Sequence, residues 1–161
     1  VIGNDALLAQ FYAYLGDAYH QTEQDEKAFD VYEKTLMIDP DNSIVLNNYA
    51  YYLSLKDRDL EKALKMSEKS IELDPDNSSN QDTYGWILYK LGRYEEAEVW
   101  IHKSIENHTE ENAEVLEHYG DVLFKLGRED EALEYWKRAV KGEGEASEHL
   151  EKKIEDQKLY E

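Results

Sequence analysis

Cysteine is absent from the 161 residues, which excludes disulfides, thiolate metal ligands and cysteine nucleophiles. Proline is nearly as scarce, at two residues, and glycine stands at eight. With so few breakers, long helices are favoured over a β-sandwich or a disordered chain. No run of about 18 apolar residues occurs, so no membrane-spanning helix is expected, and no cleavable signal is recognisable. Lack of cysteine fits either redox environment and leaves the compartment open. The chain opens at Val1 without Met, so a processed form or an excised fragment is expected, with any targeting segment lost upstream.

Basic charge is the other shortage. Eighteen Lys and Arg face 37 Asp and Glu, for a formal net charge of −19. Such a field repels nucleic-acid phosphate and anionic lipid and points to neutral or basic partners. Much of the acidity serves simply as a solvated outer face. A nucleophile elbow, a P-loop and a dinucleotide fingerprint are all missing, and carboxylates are so numerous that pairs arise by chance. No catalysis and no cofactor is expected. The five histidines do not form a metal set: His102 and His108 lie off helical same-face spacing, and His118 with Asp121 has no further ligand. They read as solvated or core-edge side chains. Asp-Pro-Asp-Asn-Ser at 39–43 and again at 74–78 resembles the start of a calcium loop but lacks its sixth-position Gly and twelfth-position Glu, so it reads as a helix stop and cap. Two short glycosylation-type matches, at Asn77 and Asn107, are of a kind frequent by chance.

What is present is a repeat. Gly16, Ala50, Gly85 and Gly120 form one ladder, Ala28, Ala63, Ala97 and Ala132 a second, each with steps of 34 or 35 residues. Apolar periodicity around them predicts paired helices at 5–21 and 24–38, 43–55 and 60–73, 79–91 and 94–107, and 112–126 and 129–141. One extra residue falls in the turn at 56–59 and another in the Pro-less loop near 107–111. Gly92 and Gly127 suit left-handed helix ends. A last helix at 145–159, with Ala146, Leu150 and Ile154 inward, is expected to cap the stack. The first helix carries Leu7, Leu8, Phe11, Tyr12, Tyr14, Leu15 and Tyr19 over more than one face, so a docked element is expected there in the intact protein: an upstream helix or a second copy.

The first copy reads Tyr12-x2-Leu15-Gly16-x2-Tyr19, Ala28-x3-Tyr32, Pro40, and the fourth Leu116-x2-Tyr119-Gly120-x2-Leu123, Ala132-x3-Trp136. The third reads Gln81-x2-Tyr84-Gly85-x2-Leu88, Ala97-x3-Ile101, and the second departs most, with Ser67 in the aromatic slot. This pattern resembles the tetratricopeptide repeat, in the style of bacterial members. The resemblance implies an all-α solenoid, a right-handed superhelix of four helix-turn-helix repeats (about 9–42, 43–77, 78–111 and 112–144) and a capping helix, forming one domain over 1–161. It implies a concave groove lined by first helices, with Asp17 and His20 (beside Ala13), Asn47 and Tyr51 (beside Ser54), Asp82, Trp86 and Tyr89, and Glu117, Asp121 and Phe124 facing it. Members that hold a C-terminal carboxylate use Lys, Arg and Asn there. Asn47 and Asn48 could supply amides, but Asp17, Asp82, Thr83, Glu117 and His118 stand at the other matching positions, and acids would repel a carboxylate. The expected function is a non-enzymatic module that holds a neutral or basic protein segment, with Tyr51, Trp86, Tyr89 and Phe124 as apolar anchors and Asp17, Asp82, Glu117 and Asp121 selecting basic groups. The alternative is one segment of a longer solenoid that assembles through its first helix.

Overall fold

The computed structural model describes residues 2–160, the side chain of Ile2 excepted. Four helical hairpins follow in order: α1 (Ile2–Gln21) with α2 (Asp25–Ile38), α3 (Ser43–Leu55) with α4 (Leu60–Leu73), α5 (Ser78–Lys90) with α6 (Tyr94–Asn107), and α7 (Ala113–Lys125) with α8 (Glu129–Ala139). A short α9 (Leu150–Asp156) ends the chain. Contacts divide it into two compact units, Val1–Asp74 and Pro75–Glu161, each holding two hairpins.

Helix starts follow the Asn residues of the repeated loops. Asn42, Asn77 and Asn112 each accept a hydrogen bond from the backbone N–H three residues on, at 3.1 Å, which satisfies a donor that the first turn would otherwise leave free. At the hairpin turns of the second unit Gly92 and Gly127 adopt φ of 76° and 77°, and the following Arg N–H reaches back to Leu88 or Leu123 to close a Schellman end. In the first unit Glu23 and Asp57 hold the same left-handed conformation, at φ 58° and 50°. A side chain there is strained by about 1 kcal/mol. Glu23→Gly is therefore expected to raise the stability of the first unit by up to about 1 kcal/mol in urea titrations followed by circular dichroism, less what glycine gains in the unfolded chain.

The core of each hairpin rests on one trade of volume. A Cβ added at Gly16, Gly85 or Gly120 would lie 2.4–2.5 Å from Tyr32, Ile101 or Trp136, each from the partner helix. In repeat two the slot holds Ala50 and its partner position holds Ser67, both fully buried. Ala50 thus takes the room that the larger partner fills elsewhere. This accounts for the weakest match in the repeat pattern, at the cost of a buried Ser67 hydroxyl with no hydrogen-bond partner.

The C-terminal stretch differs from the expected helix at 145–159. Its helix is confined to Leu150–Asp156, and residues 143–149 form a strap across α7. Backbone pairing sets this path. Glu143 N–H donates to the Glu111 carbonyl and Ala113 N–H to the Glu143 carbonyl, both at 2.7 Å. Gly142 passes so close that a Cβ would stand 2.8 Å from the Ala113 nitrogen.

Candidate protein-binding groove

In the first unit the side chains that the repeat pattern assigns to the groove come from α1 and α3. Asp17 accepts from the Tyr32 hydroxyl and, at 3.4 Å, from Asn48 Nδ2 of the next hairpin. Burial, with the Asp17 carboxylate beside it, drives the Tyr32 phenol far above its usual range, so it stays a donor. His20 stacks on Tyr52 at 3.4 Å between ring centres and bonds Asp25 at 2.9 Å. Tyr51 is half-buried beside Tyr52. Asn47 is buried, and its Oδ1 has no hydrogen-bond partner. Along α1 a cleft of about 690 Å³ opens, lined by Asp5, Gln10, Tyr14, Asp17, Asp39 and Ile44 among others.

The second unit treats the equivalent positions differently. Asp82, Trp86, Tyr89, Glu117 and Asp121 are all buried, and Phe124 is half-buried. Trp86 lies between two rings, stacked on Tyr89 at 4.7 Å and on His118 at 3.9 Å, which is packing between repeats three and four and not an open anchor. Its indole N–H is buried without an acceptor. His118, expected at the surface or core edge, is buried and pairs with Asp82 at 3.0 Å. Burial pulls the His118 imidazole down, but the Asp82 carboxylate, with smaller help from Glu114 and Asp121, more than offsets it and raises the pKa to about 9.

Glu117 and Asp121 share one cation. Lys153 of α9 places its ammonium 2.7 Å from Glu117 Oε1 and 2.8 and 2.7 Å from the two oxygens of Asp121. Only 3% of the lysine side chain is exposed. Glu117 also receives the backbone N–H of Ser147 at 2.7 Å and its hydroxyl, while Asp121 accepts from Trp136 Nε1 at 2.9 Å. The two acids respond in opposite senses. Glu117 is held low because Lys153 and Ser147 outweigh its burial, whereas burial pushes Asp121 up to about 6 despite the same lysine.

One register unites these contacts. Asn48, Thr83, His118 and Lys153 follow at intervals of 35 residues. Where the contacts are within a unit, this slot reaches back to the acids that the repeat pattern assigns to the groove in the preceding repeat: Asn48 to Asp17, His118 to Asp82, Lys153 to Glu117 and Asp121. The sequence offered a signal for Lys153, since the ladder lands on it one step beyond repeat four. Apolar periodicity instead singled out Ala146, Leu150 and Ile154.

Among the described residues no cluster of three or more His, Asp or Glu could hold a metal ion, and no helix is long and apolar enough to cross a membrane. No curated protein matches the chain in sequence. Solved structures do. A Pseudomonas aeruginosa pilF structure superposes with a TM-score of 0.70 at 24% identity, over 86% of this chain and 62% of that one. MamA AMB-1 gives 0.63 at 24% identity, over 89% of this chain and 77% of that one. An O-GlcNAc transferase mutant of Thermobaculum terrenum gives 0.73 at 18% identity, over 83% of this chain but 26% of the transferase. At these identities the likeness is one of fold, and the chain spans less than two thirds of the pilF structure. The tetratricopeptide-repeat family matches residues 6–142 directly, and this chain, an all-α solenoid built of helical hairpins, belongs to that family of protein-interaction scaffolds.

Proposed function

We propose that the chain is a non-enzymatic module that holds a neutral or basic segment of another protein against the first helices of its hairpins. The cleft along α1 carries this reading. Its lining combines Asp5, Asp17 and Asp39 with Tyr14 and Ile44, the mixture that suits an amphipathic or lysine-bearing peptide. His20, Tyr51 and Phe124, each half-buried, would supply ring surface. The groove acids of the second unit are engaged internally, so the first unit is the more open of the two.

Fluorescence anisotropy with labelled peptides of opposite charge tests the reading. Basic peptides are expected to bind and to lose at least tenfold in affinity between low and high salt, and Asp5→Asn with Asp17→Asn to weaken them further. Tighter binding of acidic peptides, or salt-independent binding of basic ones, would sink it.

A second reading rests on α1. Leu7, Phe11 and Tyr14 lie on one face and are strongly exposed, Phe11 at 59%, although the positions matching Phe11 in repeats two and four, Val45 and Val115, are buried at 1% and 5%. In repeats two and four the preceding second helix, α2 or α6, packs on the first helix. An additional hairpin stacked upstream, as part of a longer solenoid, would continue that interface. In isolation the stripe is expected to drive concentration-dependent association in light scattering, suppressed by Phe11→Asp. A strictly monomeric chain at high concentration would speak against it.

A further inference from the structure

Residues 143–156 are held to repeat four in an unusual way. Of α9, only Leu150 and Lys153 are buried, and the strap before it is largely exposed. Apolar burial of this size gives little grip. The attachment is instead polar: one ammonium in contact with three carboxylate oxygens, and the Ser147 N–H and hydroxyl on the remaining face of Glu117. Trp136 forms the floor, its ring centre 6.0 Å from the lysine nitrogen. Glu117 and Asp121, one helical turn apart on α7, offer two negative charges against a single resident positive one. Gly144, at φ 85°, turns the strap just past Glu143, whose backbone is held to Glu111 and Ala113.

These features together describe a socket already filled by a ligand, and the ligand is the chain itself. We propose that Glu117 and Asp121 form a lysine-ammonium site in the groove, that the C-terminal strap occupies it in cis through Lys153, and that a lysine-bearing helix of the partner protein displaces the strap when it binds. The inference rests on the groove reading above and adds the partner's chemistry and its gate. Charge supports this occupant: a chain of net charge −19 attracts a basic helix, and the resident segment shows which side chain the socket accepts. Because the strap is tethered, its local concentration is high, so an incoming helix must outbid it or bind additional surface. The strap therefore sets a threshold for binding to the second unit.

The test uses the full chain and a labelled synthetic peptide of residues 143–160, with and without Lys153→Met. The wild-type chain is expected to bind the lysine peptide weakly. The Lys153→Met chain, its own plug disabled, is expected to bind the same peptide at least tenfold more tightly, and the Met peptide poorly. Glu117→Gln in the Lys153→Met background should abolish that gain. Equal binding of the lysine and Met peptides, or no gain in the Lys153→Met chain, overturns the proposal. Should Lys153→Met fail to fold, hydrogen exchange on the wild type decides. Amides of 147–156 exchanging well ahead of α7 and α8 support a releasable strap, and exchange only with the rest of the unit overturns it. A wild-type dimer at high concentration that Glu117→Gln abolishes would assign the socket to the strap of a second copy and overturn the assignment to a partner protein. Binding of basic peptides to the α1 cleft, read through Asp5→Asn and Asp17→Asn, is independent of Lys153, so failure here is distinguishable from failure of the groove reading.

Discussion

Trp136→Ala is expected to destabilise the second unit by about 3–5 kcal/mol, the range for emptying a large aromatic site in a core. The residue is 1% exposed and fills the space that Gly120 leaves open on α7. Its indole also donates to Asp121 and stacks on Phe124 at 5.6 Å between ring centres. Truncation would remove both the volume and a donor to an already buried carboxylate, so the polar loss adds to the cavity. Trp136→Phe helps to separate the parts, since it keeps much of the volume but has no donor for Asp121. Urea titrations followed by circular dichroism measure both. A cost for Trp136→Ala below about 1 kcal/mol would mean that α7 and α8 collapse onto each other freely, contrary to a packing fixed by the glycine slot.

Asp82→Asn is the second large effect, and its signature is a reversed pH dependence. In the native chain the folded-state pKa of His118 is raised from 6.5 to about 9. The pair therefore contributes its full stability below about pH 6.5 and loses it as pH rises through 9. Once the carboxylate is gone, burial opposes the charged imidazole with only the smaller help of Glu114 and Asp121 against it, and the neutral form is favoured. Stability from this site then falls as pH drops below 6.5, where the unfolded chain binds the proton and the folded one resists it. At pH 5 the variant is expected to lose about 3–5 kcal/mol, as for a buried pair deprived of one partner, and at pH 9 far less. Thermal melts of both proteins across this range check the sign. Parallel pH profiles for the two would remove His118–Asp82 as a buried ion pair.

Much of the fold was legible in the sequence because it depends on local rules. Helices 43–55, 60–73 and 94–107 follow from periodicity, the first also from its Asn42 cap, and Gly92 and Gly127 from the left-handed turn that only glycine adopts without strain. The state of the groove acids was not legible in the same way. Helical spacing places Asp82, Glu117 and Asp121 on inward faces, but whether an acid there is open or neutralised depends on a base 32 to 36 residues away, His118 or Lys153. That is tertiary information, carried by the 35-residue ladder, which reaches His118 within repeat four and Lys153 one step past it. The strap was hidden for a related reason. Ala146, Leu150 and Ile154 suggested a longer amphipathic helix, while the backbone pairing of Glu143 with Glu111 and Ala113 and the hold on Ser147 draw residues 143–149 out of helix.

The boundary between the two compact units at Asp74 and Pro75 has an optical consequence. Trp86, Trp100 and Trp136 all lie beyond it, and the first unit contains tyrosine but no tryptophan. Indole-selective excitation thus sees only the second unit, while far-ultraviolet ellipticity weighs the helices of both. Overlaid unfolding curves from these two signals would show a single cooperative transition, and separated ones two. With three chromophores on one side of the boundary, the chain carries an intrinsic means of following half of itself.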